Sequence, residues 1–362
     1  MLEKICISII VPVYNAQLHI EKCINCILRQ NFQEPIEIIL IDDASKDKSV
    51  EFIKKFNLNN LKLYSLPVNS GPSAARNLGI KKAKGEYIFF LDVDDSISDN
   101  SLNVLYQVAK SENCNFVCAD FKRIENSKNQ RENVFNYPSD IKFDNKKIID
   151  AMKKEVSDPT LGHLGLFGCN GRLIKRSIII DNNILFEEKF LLLEDKTFSW
   201  RVLGFVESAI YIRKQLYSYY VYPNVKTQVA GFINRGWPIE NFKIIKRNIE
   251  NSLKRKRVNS DEIKKIADQG FIFHIIQVLV STSRSILLKK IKKEIAKKFR
   301  KNMIIKILED KEVKIAIQNY TPSNKESIWI PKALSLGYVF LVELACIHRA
   351  KEVLKRRRKG NE

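Results

Sequence analysis

Apolar, β-branched residues recur in short runs through the front of the chain, at Ile5–Val13, Ile36–Ile41, Leu61–Leu66, Tyr87–Leu91 and Phe116–Ala119. Between these runs apolar residues return every three or four positions, near Leu18–Arg29, Lys48–Phe56, Ser73–Lys84 and Ser101–Ser111. The first pattern predicts buried strands and the second amphipathic helices. Pro72 and Ser73 suit a helix start, and Gly85 a helix stop. Such alternation implies an α/β domain whose mostly parallel sheet is covered by helices on both faces.

Residues 125–147 are polar and turn-rich, which predicts a loop or lid. Order is expected to resume at Gly168–Ile180, followed by a helix from Glu194 to Leu203 and two short strands, Ser208–Ile212 and Gln215–Tyr222. Pro223, Gly231, Gly236 and Pro238 cluster in a stretch that reads as a linker, 223–238. Basic, mainly helical sequence then occupies 239–362, behind a first domain at 1–222.

The 362 residues, 45% of them hydrophobic, can bury a full core. Net charge is +21, and residues from 241 onward contribute 30 Lys/Arg against 12 Asp/Glu. A nearly neutral front and a basic rear suggest chemistry in one part and attachment to an anionic surface in the other. ICISIIVPV starts at Ile5, contains Pro12 and reads as a strand rather than a secretory leader. The seven cysteines form no disulfide framework and fit a reducing compartment. Cys23 and Cys26, or Cys114 and Cys118, find no matching histidine pair, so buried thiols are expected rather than zinc.

YIFFLDVDD, at 87–95, ends an apolar run in three carboxylates, Asp92, Asp94 and Asp95. At about 4 Å and an effective dielectric near 20, each like-charge pair costs roughly 4 kcal/mol. Such a cluster persists when a cation neutralises it or when one member stays protonated. An exposed acidic turn is the alternative. Asp42–Asp43 also follow a strand end directly, and ligands of parallel sheets bind beyond the carboxyl ends of strands. Two acidic clusters on one rim favour a binding site.

SIIVPVYN at 8–15, IILIDDASKDKS at 38–49, GPSAARNLGI at 71–80 and this DxD segment, in that order, resemble the family 2 glycosyltransferases. GCNGRLIKRSII at 168–179 and LLLEDKTFSWRVL at 191–203 extend the resemblance to about residue 222. It implies a GT-A nucleotide-diphospho-sugar transferase fold, with a nucleotide-binding half at 1–120 and an acceptor half at 121–222. On that basis Pro12, Val13 and Tyr14 would line the base and ribose, and Asp43 would accept the uracil imino hydrogen while Asp42 supports the loop. Capping of the next helix is the alternative for the aspartate pair. Arg76 and Asn77 would contact the nucleotide, or Arg76 would form a salt bridge to one of the aspartates.

The resemblance further implies that Asp94 binds Mn²⁺ or Mg²⁺ directly, with Asp92 near the ribose or reaching the ion through water. Either cation would take one or two carboxylates and fill its remaining positions with water and substrate phosphates. Asp195 would be the base that deprotonates the acceptor and inverts the anomeric centre, unless Glu194–Asp195 only complement a helix dipole. Relatives often carry a Trp where Cys169 stands, so acceptor contacts do not transfer to this segment. Tyr217, Tyr219, Tyr220 and Tyr222 could stack on sugars or pack in a core.

The function implied is a metal-dependent inverting transferase, using a nucleotide sugar (a UDP-sugar by preference) to extend a surface polysaccharide or lipid-linked oligosaccharide on the cytoplasmic face of a bacterial membrane. An inactive GT-A-fold binding module and a DxD phosphatase are the alternatives. No clean membrane span is read from the sequence; IWIPKALSLGYVFLVELACI at 328–347 is broken by Pro331, Lys332 and Glu343. SILLKKIKKEIAKKFRKNMIIKIL at 285–308 spaces Ile291, Ile295 and Phe299 by four, which predicts a helix lying on an anionic membrane or a bundle helix with a basic face. No nucleic-acid motif accompanies the charge.

Overall fold

The chain is seen in a computed structural model that describes residues 4–125, 130–131, 137–157, 166–189, 193–221, 239–288, 293–323 and 326–359. Strand β1 (Ile7–Val13) lies between β2 (Ile36–Asp42) and β4 (Tyr87–Phe90), parallel to both, and β3 (Leu61–Ser65) continues the sheet beyond β2. The other half of the sheet uses β5 (Ser96–Ile97), β6 (Phe116–Ile124), β9 (Arg172–Lys175) and β10 (Ala209–Tyr220). The order is β3-β2-β1-β4-β9-β6-β10-β5, with β7 (Gln130–Arg131) on β6 and β8 (Ile141–Phe143) on β10. β9 runs antiparallel to both neighbours, β4 and β6, so the sheet is mixed. Together with its flanking helices this is the GT-A-like α/β arrangement that the resemblance implies.

The continuous apolar runs follow from burial on both faces: Ile7, Ile9, Ile10 and Val11 of β1 are all inaccessible to solvent. Helices α1 (Ile20–Leu28), α2 (Ser49–Lys54), α3 (Pro72–Lys82) and α4 (Ser101–Ser111) follow the predicted periodicity. α3 sits tightly on β1, because a Cβ at Gly79 would fall 2.3 Å from Ile10 Cγ2. Three helices complete this part: α5 (Asn145–Ser157), α6 (Arg176–Asp181) and α7 (Glu194–Leu203).

Two expectations are corrected here. The strand pair expected at 208–222 is one strand, β10, whose register shifts twice between Ile212 and Tyr217, so its break is a bulge rather than a turn. The loop expected over 125–147 contains β7, β8 and the start of α5; Ile141 and Phe143, two apart, give β8 an apolar side.

The chain divides into two compact units, residues 1–151 with 162–223 and residues 152–161 with 224–362. The linker expected at 223–238 lies outside the described residues apart from what flanks it. The second unit contains α8 (Glu240–Arg255), α9 (Ser260–Leu287), α10 (Lys293–Glu309), α11 (Lys311–Ala316), α12 (Trp329–Leu336) and α13 (Val339–Lys359). α9 is the one helix among the described residues long and apolar enough to cross a membrane, and 67% of that window is buried inside the bundle. Its all-round apolarity fits a core helix.

α10 turns an unexpected face inward. Ala296, Arg300, Met303, Ile304 and Ile307 are buried, whereas Ile295 is 51% exposed, Phe299 is half-buried and Ile291 lies outside the described residues. Arg300 decides the orientation: its Nη2 donates to Glu343 Oε1 on α13 at 3.0 Å and its Nη1 to Ser283 Oγ on α9 at 3.2 Å. A buried guanidinium needs such partners, and they lie on the face opposite the lysines.

Candidate active site

The turn after β4 holds the carboxylates. Asp92 Oδ1 accepts a hydrogen bond from Arg76 Nη2 at 2.7 Å, and its Oδ2 accepts one from Asn170 Nδ2 at 2.6 Å. Arg76 comes from the first turns of α3, and Asn170 arrives because its segment bridges Phe90 just before β9 pairs with β4. Both Asp92 oxygens are therefore engaged, one by a cation. This argues against Asp92 as a direct metal ligand. Asp94 is half-buried, and burial followed by the charge of Asp92 raises its carboxyl above the usual range.

Asp95 faces inward. It accepts Tyr217 Oη at 2.5 Å and the Tyr220 amide at 3.0 Å, and burial together with Asp92 pushes it up to about 8. Tyr217 reaches it across Gly171, where a Cβ would fall 2.9 Å from Tyr217 Cδ2; the φ of +70° there also suits glycine. Gly171→Ala is expected to cost about 2 kcal/mol or more from the left-handed backbone and overpacking. For a domain of this size that lowers Tm by roughly 4–8 °C, readable by thermal unfolding. Of the remaining tyrosines, Tyr219 is 42% exposed, Tyr220 stacks under Lys22 and Tyr222 lies outside the described residues.

A second acidic pair opens α7. Leu193 has φ +64°, rare for a bulky side chain, and turns the chain so that Glu194 and Asp195 form the first helical turn. Ser199 Oγ accepts the Gly168 amide at 2.9 Å and donates to the Asp195 carbonyl at 2.8 Å, which ties α7 to the loop bearing Asn170. Burial and then Asp195 push Glu194 up to about 7, and the charges of Arg76 and Asp92 also reach it. Arg76 is 5% exposed, and its Nε and Nη1 are buried with no hydrogen-bond partner. Carboxylates from β4 and α7 thus share one crevice with a guanidinium that has donors to spare.

The other rim residues divide by side-chain direction. Pro12 is half-buried and Tyr14 47% exposed, but Val13 is 1% exposed and belongs to the core. Asp43, expected to read uracil, accepts the amides of Ser70 at 2.7 Å and Gly71 at 2.8 Å and the Asn69 amide group at 3.1 Å. Its carboxylate anchors the loop before α3, while Asp42 Oδ1 accepts the Ser45 amide at 3.2 Å. Asn77 is likewise structural. Its amide group donates to Phe186 O and Glu188 Oε1 and accepts the Phe186 amide, and the residue is 3% exposed. Asn170, by contrast, is a site residue the sequence reading passed over.

Residues 8–180 match the sequence profile described as Glycosyl transferase family 2. This segment, just under half of the chain, is similar to the family 2 glycosyltransferase domain. Among similar proteins, GlyG of Streptococcus pneumoniae is 28% identical over 217 residues, 59% of this chain and 70% of that protein. A Haemophilus influenzae protein described as an uncharacterized glycosyltransferase is 50% identical over 98 residues, 26% of this chain and 39% of its own length. The poly(ribitol-phosphate) beta-N-acetylglucosaminyltransferase TarS of Staphylococcus aureus is 27% identical over 198 residues, 54% of this chain and 32% of TarS. The matches thus span between about a third and about two thirds of these relatives. In structure, TarS 1–349 superposes with a TM-score of 0.67 at 19% identity, covering 94% of this chain and 90% of that one. Crystal structures of TarS 1–349 with UDP and with UDP-GlcNAc superpose equally well, with TM-scores of 0.67.

Among the described residues no three His, Cys, Asp or Glu side chains are placed to hold a metal by themselves. That donor set fits a hard cation held by one carboxylate and completed by water and substrate phosphates. It does not fit a closed protein cage.

Proposed function

We propose that the chain transfers a sugar from a UDP-linked donor to a growing surface polysaccharide or lipid-linked oligosaccharide, with inversion at the anomeric carbon. The observation that carries this reading is the convergence of Asp92 and Glu194 on Arg76, with Asp195 beside Glu194 and two buried donors of Arg76 without partners. A buried cation with unmet hydrogen-bonding capacity suits phosphate oxygens. The polymer acceptor is supported by relatives named for poly(ribitol-phosphate) and teichoic acid, the donor by the name of TarS and its UDP-GlcNAc complex.

In this reading Asp94 holds Mn²⁺ or Mg²⁺. When bound, the cation offsets the charge that develops on the leaving diphosphate. Arg76 holds Asp92 in place and sets a positive charge beside the diphosphate. Asp195 takes the proton of the acceptor hydroxyl as that oxygen bonds to the anomeric carbon and the bond to the diphosphate breaks. One displacement inverts the centre, and nucleoside diphosphate leaves.

A panel of nucleotide sugars with Mn²⁺, scored by mass spectrometry for transfer to polymer and lipid extracts, tests the proposal. UDP-sugars are expected to be consumed in preference to others. Absence of affinity for every nucleoside diphosphate, with or without the cation, would remove the enzymatic reading.

A further inference from the structure

The helical unit exposes large apolar side chains most densely along α12 and α13. Trp329 of α12 is 61% exposed, and Leu336, Tyr338 and Phe340, around the turn between α12 and α13, are 62%, 65% and 67% exposed. Ile328 at 50% and Leu344 at 48% continue the patch to either side. The turn itself juts outward: Gly337 has φ +75°, and a Cβ there would meet no atom within 4 Å. Large aromatic and aliphatic side chains rarely cluster on a projecting tip without a partner.

Charge identifies the partner. Along α13 the positions after Phe340 and Leu344 on the same face are His348, Lys351 and Lys355, all exposed, and Lys332 is exposed on α12. The acidic residues of these two helices do not offset them, because Glu343 is paired with Arg300 and Glu352 with Arg349, each at 3.0 Å. Apolar and aromatic residues at a tip, backed by unopposed lysines, match the layering of an anionic bilayer from acyl chain to headgroup. A second copy of the chain would set one basic stripe against another, which is unfavourable at a net charge of +21.

We infer that the α12–α13 hairpin is the surface through which this chain docks on an anionic membrane. The tip inserts Leu336, Tyr338 and Phe340 among the lipids, Trp329 at the other end of α12 adds a second apolar contact, and the lysines of α13 rest on the headgroups. The lysine-rich α10 is then a bundle helix and not the anchor. This inference does not depend on the transferase chemistry.

Co-sedimentation of the full chain with phosphatidylglycerol–phosphatidylcholine vesicles tests it. The parent chain is expected to bind these vesicles and to ignore phosphatidylcholine alone. Trp329→Ser with Phe340→Ser, and separately Lys351→Glu with Lys355→Glu, are each expected to weaken binding at least tenfold with Tm unchanged. Lys297→Glu with Lys298→Glu on α10 is expected to change it less than twofold. Undiminished lipid binding by both hairpin variants overturns the inference, as does loss of binding through the α10 pair alone. It is equally overturned if the parent ignores anionic vesicles and instead self-associates through the hairpin, seen as a dimer in sedimentation velocity that Trp329→Ser with Phe340→Ser dissolves.

Discussion

Asp94→Asn is expected to abolish the Mn²⁺-dependent part of UDP binding and to slow transfer on the order of 100-fold or more, with the fold intact. The size follows from what a Lewis acid contributes at a leaving diphosphate, about 3 kcal/mol or more, and tenfold in rate per 1.4 kcal/mol. The position follows from its neighbours. Arg76 and Asn170 engage both oxygens of Asp92, and Asp95 is closed in behind Tyr217; the DxD resemblance assigns the cation to Asp94. Asparagine keeps the shape and one oxygen but loses the charge, so the variant should melt where the parent does. Titration calorimetry with UDP, in Mn²⁺ and in chelator, reads the effect directly; equal affinity in both for parent and variant alike would refute the assignment.

Asp195→Asn separates chemistry from binding. Removal of a general base typically costs 10²–10⁴-fold in rate. Donor affinity should stay within about twofold, because the role assigned to this side chain begins with the acceptor. A KM for the nucleotide sugar near the parent value, beside a kcat at least about 100-fold lower, is the expected pattern. Turnover close to that of the parent would take the role away from Asp195. Glu194→Gln is a useful companion: a comparable collapse there, with Asp195→Asn active, would move the base by one residue.

Most of the sheet could be read from the sequence because its central strands are buried on both faces and must be apolar throughout, as Ile36–Asp42 and Tyr87–Phe90 are. Side-chain direction was less legible. Arg76 and Asn77 are consecutive on α3, so their side chains diverge by about 100°. One meets Asp92 and the other fixes Phe186. Pro12, Val13 and Tyr14 likewise sit at a strand end, where alternate residues point to opposite faces, and Val13 falls to the core. Periodicity in the sequence already contained both directions. The Asp92–Asn170 contact is of another kind. It spans 78 residues and exists only because β9 enters the sheet antiparallel between β4 and β6, which no local pattern announces.

That inserted strand has a practical consequence for altering what the protein modifies. Exchanging the segment around residues 168–175 for that of a relative, to graft a new acceptor preference, would also replace the clamp on Asp92 and the gap that admits Tyr217. Chimaeras that retain Asn170 and Gly171 keep Asp92 and Tyr217 as they are held here. Those that discard them disturb the carboxylates of the turn after β4 along with the exchanged segment.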